Sequence, residues 1–315
     1  MIYQVGMFVG GFALLILGAD WFIKAGSELA IRWRISKIWL AMIMLSFATS
    51  LPEFWVVIEA VHQQAMPLAV GNIIGSYVAN LSFAIGIAAV IKPITVHAEV
   101  VKKDLPISFF VLALTFLLLA DGSMSYADAL ILLLCLVAWL VWMHRSLSKD
   151  MVKFDVSAHA LGGGLLKNIV LVVLGLGALH IGALGVVDGA IFLSKHFHIA
   201  PAFVGMTAVA IGTSLPEIFA SAYASYRQED ELAVGTALGS NLFLLMFALP
   251  LAVLMNDFHL SSTGIWREFI FLVILTGAFW LFTAQFDRVL RVNRIEGAFL
   301  IFMGVAFYLL QTWMF

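Results

Sequence analysis

Thr49-Ser50-Leu51-Pro52-Glu53 recurs in this sequence as Thr213-Ser214-Leu215-Pro216-Glu217. Each copy sets a carboxylate four residues after a threonine, so hydroxyl and carboxylate share one helix face. Each also carries a proline, which removes a backbone hydrogen bond and interrupts a helix. The hydroxyls of Thr49, Thr213, Ser50 and Ser214, the two carboxylates, and carbonyls released at about the depth of Ser46–Thr49 and Ala210–Thr213 would form an all-oxygen donor set. Such a set suits hard cations, Ca²⁺ or Na⁺, whereas Zn²⁺ and Cu⁺ prefer His and Cys. Two converging carboxylates repel unless they share protons or hold a cation, and together they balance one Ca²⁺. A protonated glutamate in a plain helix contact would explain one of them; it explains a repeated pair poorly.

The copies are offset by 164 residues (217 minus 53). At that offset Leu68-Ala69-Val70-Gly71 recurs as Leu232-Ala233-Val234-Gly235, Gly75-Ser76 as Gly239-Ser240, and Ala60 and Gln64 match Ala224 and Gln228. The glycines stand four apart within each segment, a spacing that lets helices approach closely, and packing accounts for them. It does not account for Ser76 and Asn80, which lie four apart on one face and are candidate oxygen donors; Ser240 is the repeat counterpart of Ser76.

The elements that position these groups follow from composition. Of 315 residues, 63% are hydrophobic and 11% charged, with mean hydropathy +1.05. No soluble fold of this size hides so much apolar surface, and disorder is excluded on the same ground. A net charge of −2 without a basic stripe excludes a nucleic-acid partner. One cysteine, Cys135, excludes a disulfide scaffold or a cysteine-built metal site. The chain reads as an all-α membrane protein. Ten mostly apolar segments, 3–31, 37–61, 68–91, 105–120, 126–145, 164–194, 200–225, 232–255, 267–284 and 295–314, are long enough to be spans. The first reads as a retained helix, not a signal peptide, because neither a basic lead nor a cleavage site accompanies it.

Lys and Arg cluster in alternate loops: Arg32, Arg34 and Lys37; Lys92, Lys102 and Lys103; Arg145, Lys149, Lys153 and, at the edge, Lys167; Arg227; and Arg288, Arg291 and Arg294. The opposite side has Lys195 and Arg267. The positive-inside rule puts the first set in the cytoplasm and both termini outside, with the chain in a plasma (inner) membrane. The repeat then divides the chain into a five-helix unit at 1–146, a cytoplasmic linker at 147–163 and a second five-helix unit at 164–315. An odd number of spans per unit makes the two repeats inverted, an architecture of transporters that places the site at the repeat interface.

These residues resemble the sodium/calcium exchanger branch of the cation/calcium exchanger superfamily. Its doubled α-repeat motifs are matched here by Ala48–Glu53 with Gly71–Tyr77 and by Gly212–Glu217 with Gly235–Asn241. The resemblance covers essentially the whole chain and implies alternating-access antiport of Ca²⁺ against Na⁺, with the bilayer as partner and no cofactor. It implies a Ca²⁺ site at Glu53, Glu217, Thr49 and Thr213, and Na⁺ sites around Ser50, Ser214, Ser76 and the carbonyls near Ser46 and Ala210. Asn80 matches a family polar position; Ser240 completes the candidate set. It also implies that spans 1 and 6 slide against the other eight. Three positions depart from the family: Tyr77 replaces Asn, Ala48 replaces Gly, and Leu244 stands where an Asp or Asn is usual. Leu244 supplies no oxygen, which opens an alternative of H⁺/Ca²⁺ exchange or of Na⁺ exchange against another divalent ion.

Other polar residues read more simply. Asp20, Lys24 and Glu28 follow one helix face and neutralise each other. Glu59 reads as interfacial, Asp188 and His180 as structural, and Met42, Met44, Met206 and Met246 as core filler. A passive channel would need a filter, usually built from symmetric subunits. An intramembrane enzyme would need a nucleophile, a metal motif or a phosphate loop beside the glutamates, and none accompanies them.

Overall fold

The computed structural model describes residues 2–32, 45–96, 100–147, 164–228, 230–256, 258–259, 262–283 and 291–312. The first half contains α1 (Ile2–Arg32), α2 (Leu45–Thr49), α3 (Leu51–His62), α4 (Met66–Ala79), a π-helical turn at Asn80–Ala84, α5 (Ile85–Ile91), a π-helical turn at Val100–Asp104 leading into α6 (Leu105–Leu118), and α7 (Tyr126–Leu147). The second half contains α8 (Leu165–Phe197), α9 (Pro201–Val204), a π-helical turn at Gly205–Val209, α10 (Ala210–Thr213), α11 (Leu215–Tyr226), α12 (Asp230–Phe243), a π-helical turn at Leu244–Ala248, α13 (Leu249–Met255), α14 (Ser262–Thr283) and α15 (Arg294–Thr312).

Among the described residues, six helices are long and apolar enough to cross a membrane, and a bent pair, Pro201–Thr213 with Leu215–Tyr226, makes a seventh. The protein is therefore multi-pass. The expected span 37–61 is described only from Leu45, and the linker 147–163 lies outside the described residues beyond Leu147. Segment 105–120 forms a helix of 14 residues, shorter than the ~20 that a straight crossing needs.

The two breaks have one cause. Pro52 and Pro216 sit in the first turn of α3 and α11, where a missing N–H costs least. The residue two before each proline leaves the helical path: Ser50 has φ −81° and ψ 1°, Ser214 φ −80° and ψ 3°. The second break bends its span by 42°.

The 164-residue offset seen in the sequence holds element by element. Leu51–His62 matches Leu215–Tyr226, Met66–Ala79 matches Asp230–Phe243, and the π-helical turn Asn80–Ala84 matches Leu244–Ala248. Even the left-handed residues after the third and eleventh helices correspond, Gln64 at φ 59° and Gln228 at φ 67°. Strand β1 (Ile94–Thr95) likewise matches β3 (Phe258–His259). β1 pairs antiparallel with β4 (Arg291–Val292), and β2 (Ser123–Met124) pairs with β3.

The glycine-rich spans form the centre. Met66–Ile91 is 83% buried along its apolar window and Leu232–Met255 78%, against 28% for Tyr126–Met143, which faces outward. Outside this core α1 and α8 pack along each other through opposed glycines: a Cβ on Gly11 would lie 2.7 Å from the Gly182 carbonyl, and one on Gly18 2.8 Å from that of Gly175. Helices approaching this closely hold each other through backbone contact and few interlocking side chains.

Candidate functional site

Each break sets a glutamate in the first turn of a helix, Glu53 in α3 and Glu217 in α11, where the helix dipole favours negative charge. Glycines bring the partner elements against the breaks. A Cβ on Gly75 would overlap the carbonyl oxygen of Met206, one on Gly71 that of Ala202, and one on Gly239 would lie 2.5 Å from Ser46 Oγ. The close approach that the glycine spacing suggested is thus real, and its target is the segment preceding each break.

The carboxylates are tied crosswise. Ser214 Oγ donates to Glu53 Oε1 at 2.9 Å, and Ser50 Oγ donates to Glu217 Oε1 at 3.0 Å. Ser240 Oγ approaches the same Glu217 oxygen at 3.4 Å. Each repeat's serine therefore holds the other repeat's glutamate. Glu53, Glu217, Ser50, Ser214, Ser76, Ser240 and Asn80 are all 0% exposed. Oε2 of Glu53 and Oε2 of Glu217 are buried without a hydrogen-bond partner. No Lys, Arg or His is buried among the described residues, so none of the cations described compensates the pair. A buried carboxylate left in that condition costs several kcal/mol, and a bound cation or a proton removes that cost.

The hydroxyls and carbonyls complete the shell. The sequence reading placed the carbonyls released by the prolines at about the depth of Ser46–Thr49 and Ala210–Thr213, and within those ranges the Ser46 and Ala210 carbonyls keep partners. The Ser46 carbonyl accepts from Ser50 N at 3.3 Å, Thr49 Oγ1 at 3.2 Å and Ser240 Oγ at 3.2 Å. The Ala210 carbonyl accepts from Ser214 N at 3.0 Å, Thr213 Oγ1 at 3.2 Å and Ser76 Oγ at 3.5 Å. The reason is positional: proline deletes the bond to the residue four before it, which is Ala48 or Gly212, and leaves the bonds to Ser46 and Ala210 in place. All eleven candidate positions nevertheless fall in this one buried neighbourhood, linked by these bonds or, for Asn80, by the layer beside it.

That layer contains residues the sequence reading missed. Asn80 Nδ2 donates to Asn241 Oδ1 at 3.0 Å, and Asn241 Nδ2 donates to the Tyr77 carbonyl at 3.3 Å. Asn241 thus fills, from one turn earlier, the polar role that Leu244 vacates. Tyr77, its repeat counterpart, turns away and shares a 3.0 Å hydrogen bond with Thr276 on α14. Asn72 Oδ1 lies 3.2 Å from Thr213 Oγ1, and Tyr308 OH donates to the Gly75 carbonyl at 2.8 Å. The one available signal was that Asn241 is the polar residue nearest before Leu244 in the doubled segment. Replacing Asn241 by Leu strips Asn80 Nδ2 and the Tyr77 carbonyl of partners. It is expected to destabilise the protein by about 1–2 kcal/mol, read as a lower melting temperature in detergent.

The remaining polar residues lie apart from this shell. Glu59, 6% exposed, accepts from Gln63 Nε2 at 2.9 Å, and the same amide lies 2.9 Å from Asp188 Oδ1 on α8. His180 is exposed on α8 and not enclosed as a structural histidine among apolar residues would be. Met206 and Met246 are buried in the core. Met42 and Met44, and the side chains of Lys24 and Glu28, lie outside the described residues.

Comparison with known proteins gives a consistent result. The family model described as sodium/calcium exchanger protein matches residues 3–144 and 167–313. The putative antiporter CaxA of Alkalimonas amylolytica is 31% identical over 309 residues, 96% of this chain and 97% of that one. The inner membrane protein YrbG of Escherichia coli is 29% identical over 321 residues, 98% of each chain. A solved structure of the sodium-calcium exchanger NCX_Mj, soaked with 100 mM Na⁺ and 10 mM Sr²⁺, superposes with a TM-score of 0.68 at 26% identity over 97% of both chains.

Proposed function

The chain belongs to the sodium/calcium exchanger family, a family of transporters, and from that premise we propose that it exchanges Ca²⁺ for Na⁺ by alternating access, with one Ca²⁺ held between Glu53 and Glu217. The observation that carries this reading is the crossed serine–glutamate pairing, which leaves one buried, unpartnered oxygen on each glutamate. Thr49 and Thr213 complete the Ca²⁺ shell. Ser50, Ser214, Ser76 and Ser240, with the carbonyls of Ser46 and Ala210, take Na⁺, and Asn80 borders them. The two ions use overlapping oxygens, so they cannot be held together. Without either, two bare carboxylates would have to be carried through a low-dielectric interior, and the carrier does not turn. Antiport follows from that restriction.

The architecture that serves this mechanism is ten spans in two inverted five-helix repeats, 1–146 and 164–315, joined by the cytoplasmic linker 147–163, with both termini outside an inner membrane. The strand pairing supports inversion. β1 and β3 are repeat counterparts, yet β3 pairs with β2, and α6 runs from the β1 loop to the β2 loop. The counterparts therefore sit at opposite ends of α6.

The test is radiocalcium uptake into Na⁺-loaded proteoliposomes after dilution into Na⁺-free buffer. Uptake that requires internal Na⁺ is the expected result. Uptake driven by an imposed proton gradient alone would select H⁺/Ca²⁺ exchange, the reading that the buried Leu244 favours. Ca²⁺ current without any counter-ion would indicate a channel and overturn exchange altogether.

A further inference from the structure

We propose that Gln63 is a positioning residue of the exchange cycle: its amide latches α8 to α3 at one end of the membrane only, and so sets how often the carrier opens at that end. This rests on the exchanger reading and concerns its conformational equilibrium. Gln63 directly follows α3, ten residues beyond Glu53, about 15 Å along the helix axis. The same Nε2 donates to Glu59 Oε1 on α3 and to Asp188 Oδ1 on α8, both at 2.9 Å. Two carboxylates are thereby drawn together around one neutral amide, and without it they repel. The bond joins two bodies. α1 and α8 pack on each other through opposed glycines, α1 also lies against α2 and α10, the short helices before the breaks, and α8 lies along α3. Both site glutamates are 0% exposed. A route along α3 to Glu53 opens only if α8 parts from α3.

The repeat shows that the latch is one-sided. The 164-residue offset extends to α1 and α8: Gly11 and Gly18 correspond to Gly175 and Gly182, and their contacts are crossed, Gly11 against Gly182 and Gly18 against Gly175. At that offset Gln63 corresponds to Arg227 and Asp188 to Lys24, while Glu59 corresponds to Tyr223. An amide and a carboxylate in one repeat are thus matched by two cations in the other. Neither Arg nor Lys accepts a hydrogen bond, and like charges repel, so those positions cannot form the same bond with each other. The repeats agree at the paired glutamates and disagree here. That disagreement gives the two open conformations different free energies. One amide bond to a charged acceptor is worth about tenfold in the balance.

The experiment places spin labels on His62→Cys and His196→Cys, both exposed positions, in a Cys135→Ser background, and reads the separation of α3 and α8 at this end. Gln63→Ala should raise the separated population about tenfold relative to the closed one. Gln63→Glu adds a third carboxylate and should raise it further. Gln63→Lys sets an ammonium between the two carboxylates and should lower it. The Ca²⁺ half-saturation of exchange is measured in right-side-out and in inverted vesicles. For Gln63→Ala and Gln63→Glu it should fall on the Gln63 side and rise on the other, and for Gln63→Lys the reverse. Loss of a merely structural contact does not change sign with the charge placed at position 63. Exchange whose distances and half-saturations ignore that charge overturns the latch and leaves the exchanger reading intact. A parent protein without Na⁺-driven Ca²⁺ uptake overturns the exchanger reading, and the proposal with it.

Discussion

Glu53→Gln and Glu217→Gln should each reduce Ca²⁺ exchange by at least ~100-fold, the kinetic equivalent of losing one partner of a buried charge contact. The substitution is conservative for everything except the ion. A glutamine keeps an oxygen where Ser214 or Ser50 donates, at 2.9 and 3.0 Å respectively. What changes is the second oxygen, buried and unpartnered in both residues, which becomes an NH₂ group directed at the space a cation would fill. An amide donor repels a cation and carries no charge to balance it. Stability moves the other way. In ion-free detergent buffer the variants should melt at or above the parent temperature, because an uncompensated buried charge has been removed. The parent should gain about 2.7 kcal/mol at a Ca²⁺ concentration 100 times its dissociation constant, and the variants should lose that gain. Uptake assays and melting curves with and without Ca²⁺ read both effects. Parent-level exchange by either variant would refute the glutamate pair as the site.

The second large effect is mechanical. Gly75→Ala should destabilise the protein by about 3 kcal/mol or more and abolish exchange, whereas Gly10→Ala on α1 should leave both unchanged. A Cβ on Gly75 overlaps the Met206 carbonyl oxygen and meets the Ala210 side chain at 2.5 Å, while one on Gly10 has nothing within 4 Å. Backbone cannot swing aside as a flexible side chain does, so α4 must shift away from the π-helical turn Gly205–Val209. That shift also drags Ser76 from the Ala210 carbonyl and the Gly75 carbonyl from Tyr308. Fluorescence-detected size-exclusion after heating compares the two variants directly. Equal melting of Gly75→Ala and parent would show that the two elements do not approach as closely as described here.

Much of the site was legible because its signals are local. A proline directly before a glutamate interrupts the helix in both copies, and the break appears two residues earlier, at Ser50 and Ser214. The doubled pentapeptide and its offset carried over to helices, π-helical turns and even two left-handed glutamines. What stayed illegible were the long-range partners, which local rules do not give. The carbonyls of Ser46 and Ala210 meet donors from the distant half of the chain, 194 and 134 residues away in sequence for Ser240 and Ser76. Leu244 is buried and supplies no oxygen, while Asn241 places an amide one turn earlier and Tyr77 bonds Thr276. Gln63, bridging Glu59 and Asp188, joins two residues that had been read separately.

Composition by itself determined that this is a membrane chain, and the repeated carboxylates pointed to an oxygen-donor set suited to hard cations, because apolar content and intramembrane charge carry costs that do not depend on the details of folding. Which serine meets which glutamate was decided only by the tertiary structure. The crossed bonds join residues 161 and 167 positions apart, and they exist because glycines let the backbone of each repeat press against the break in the other, a distance that no local spacing encodes.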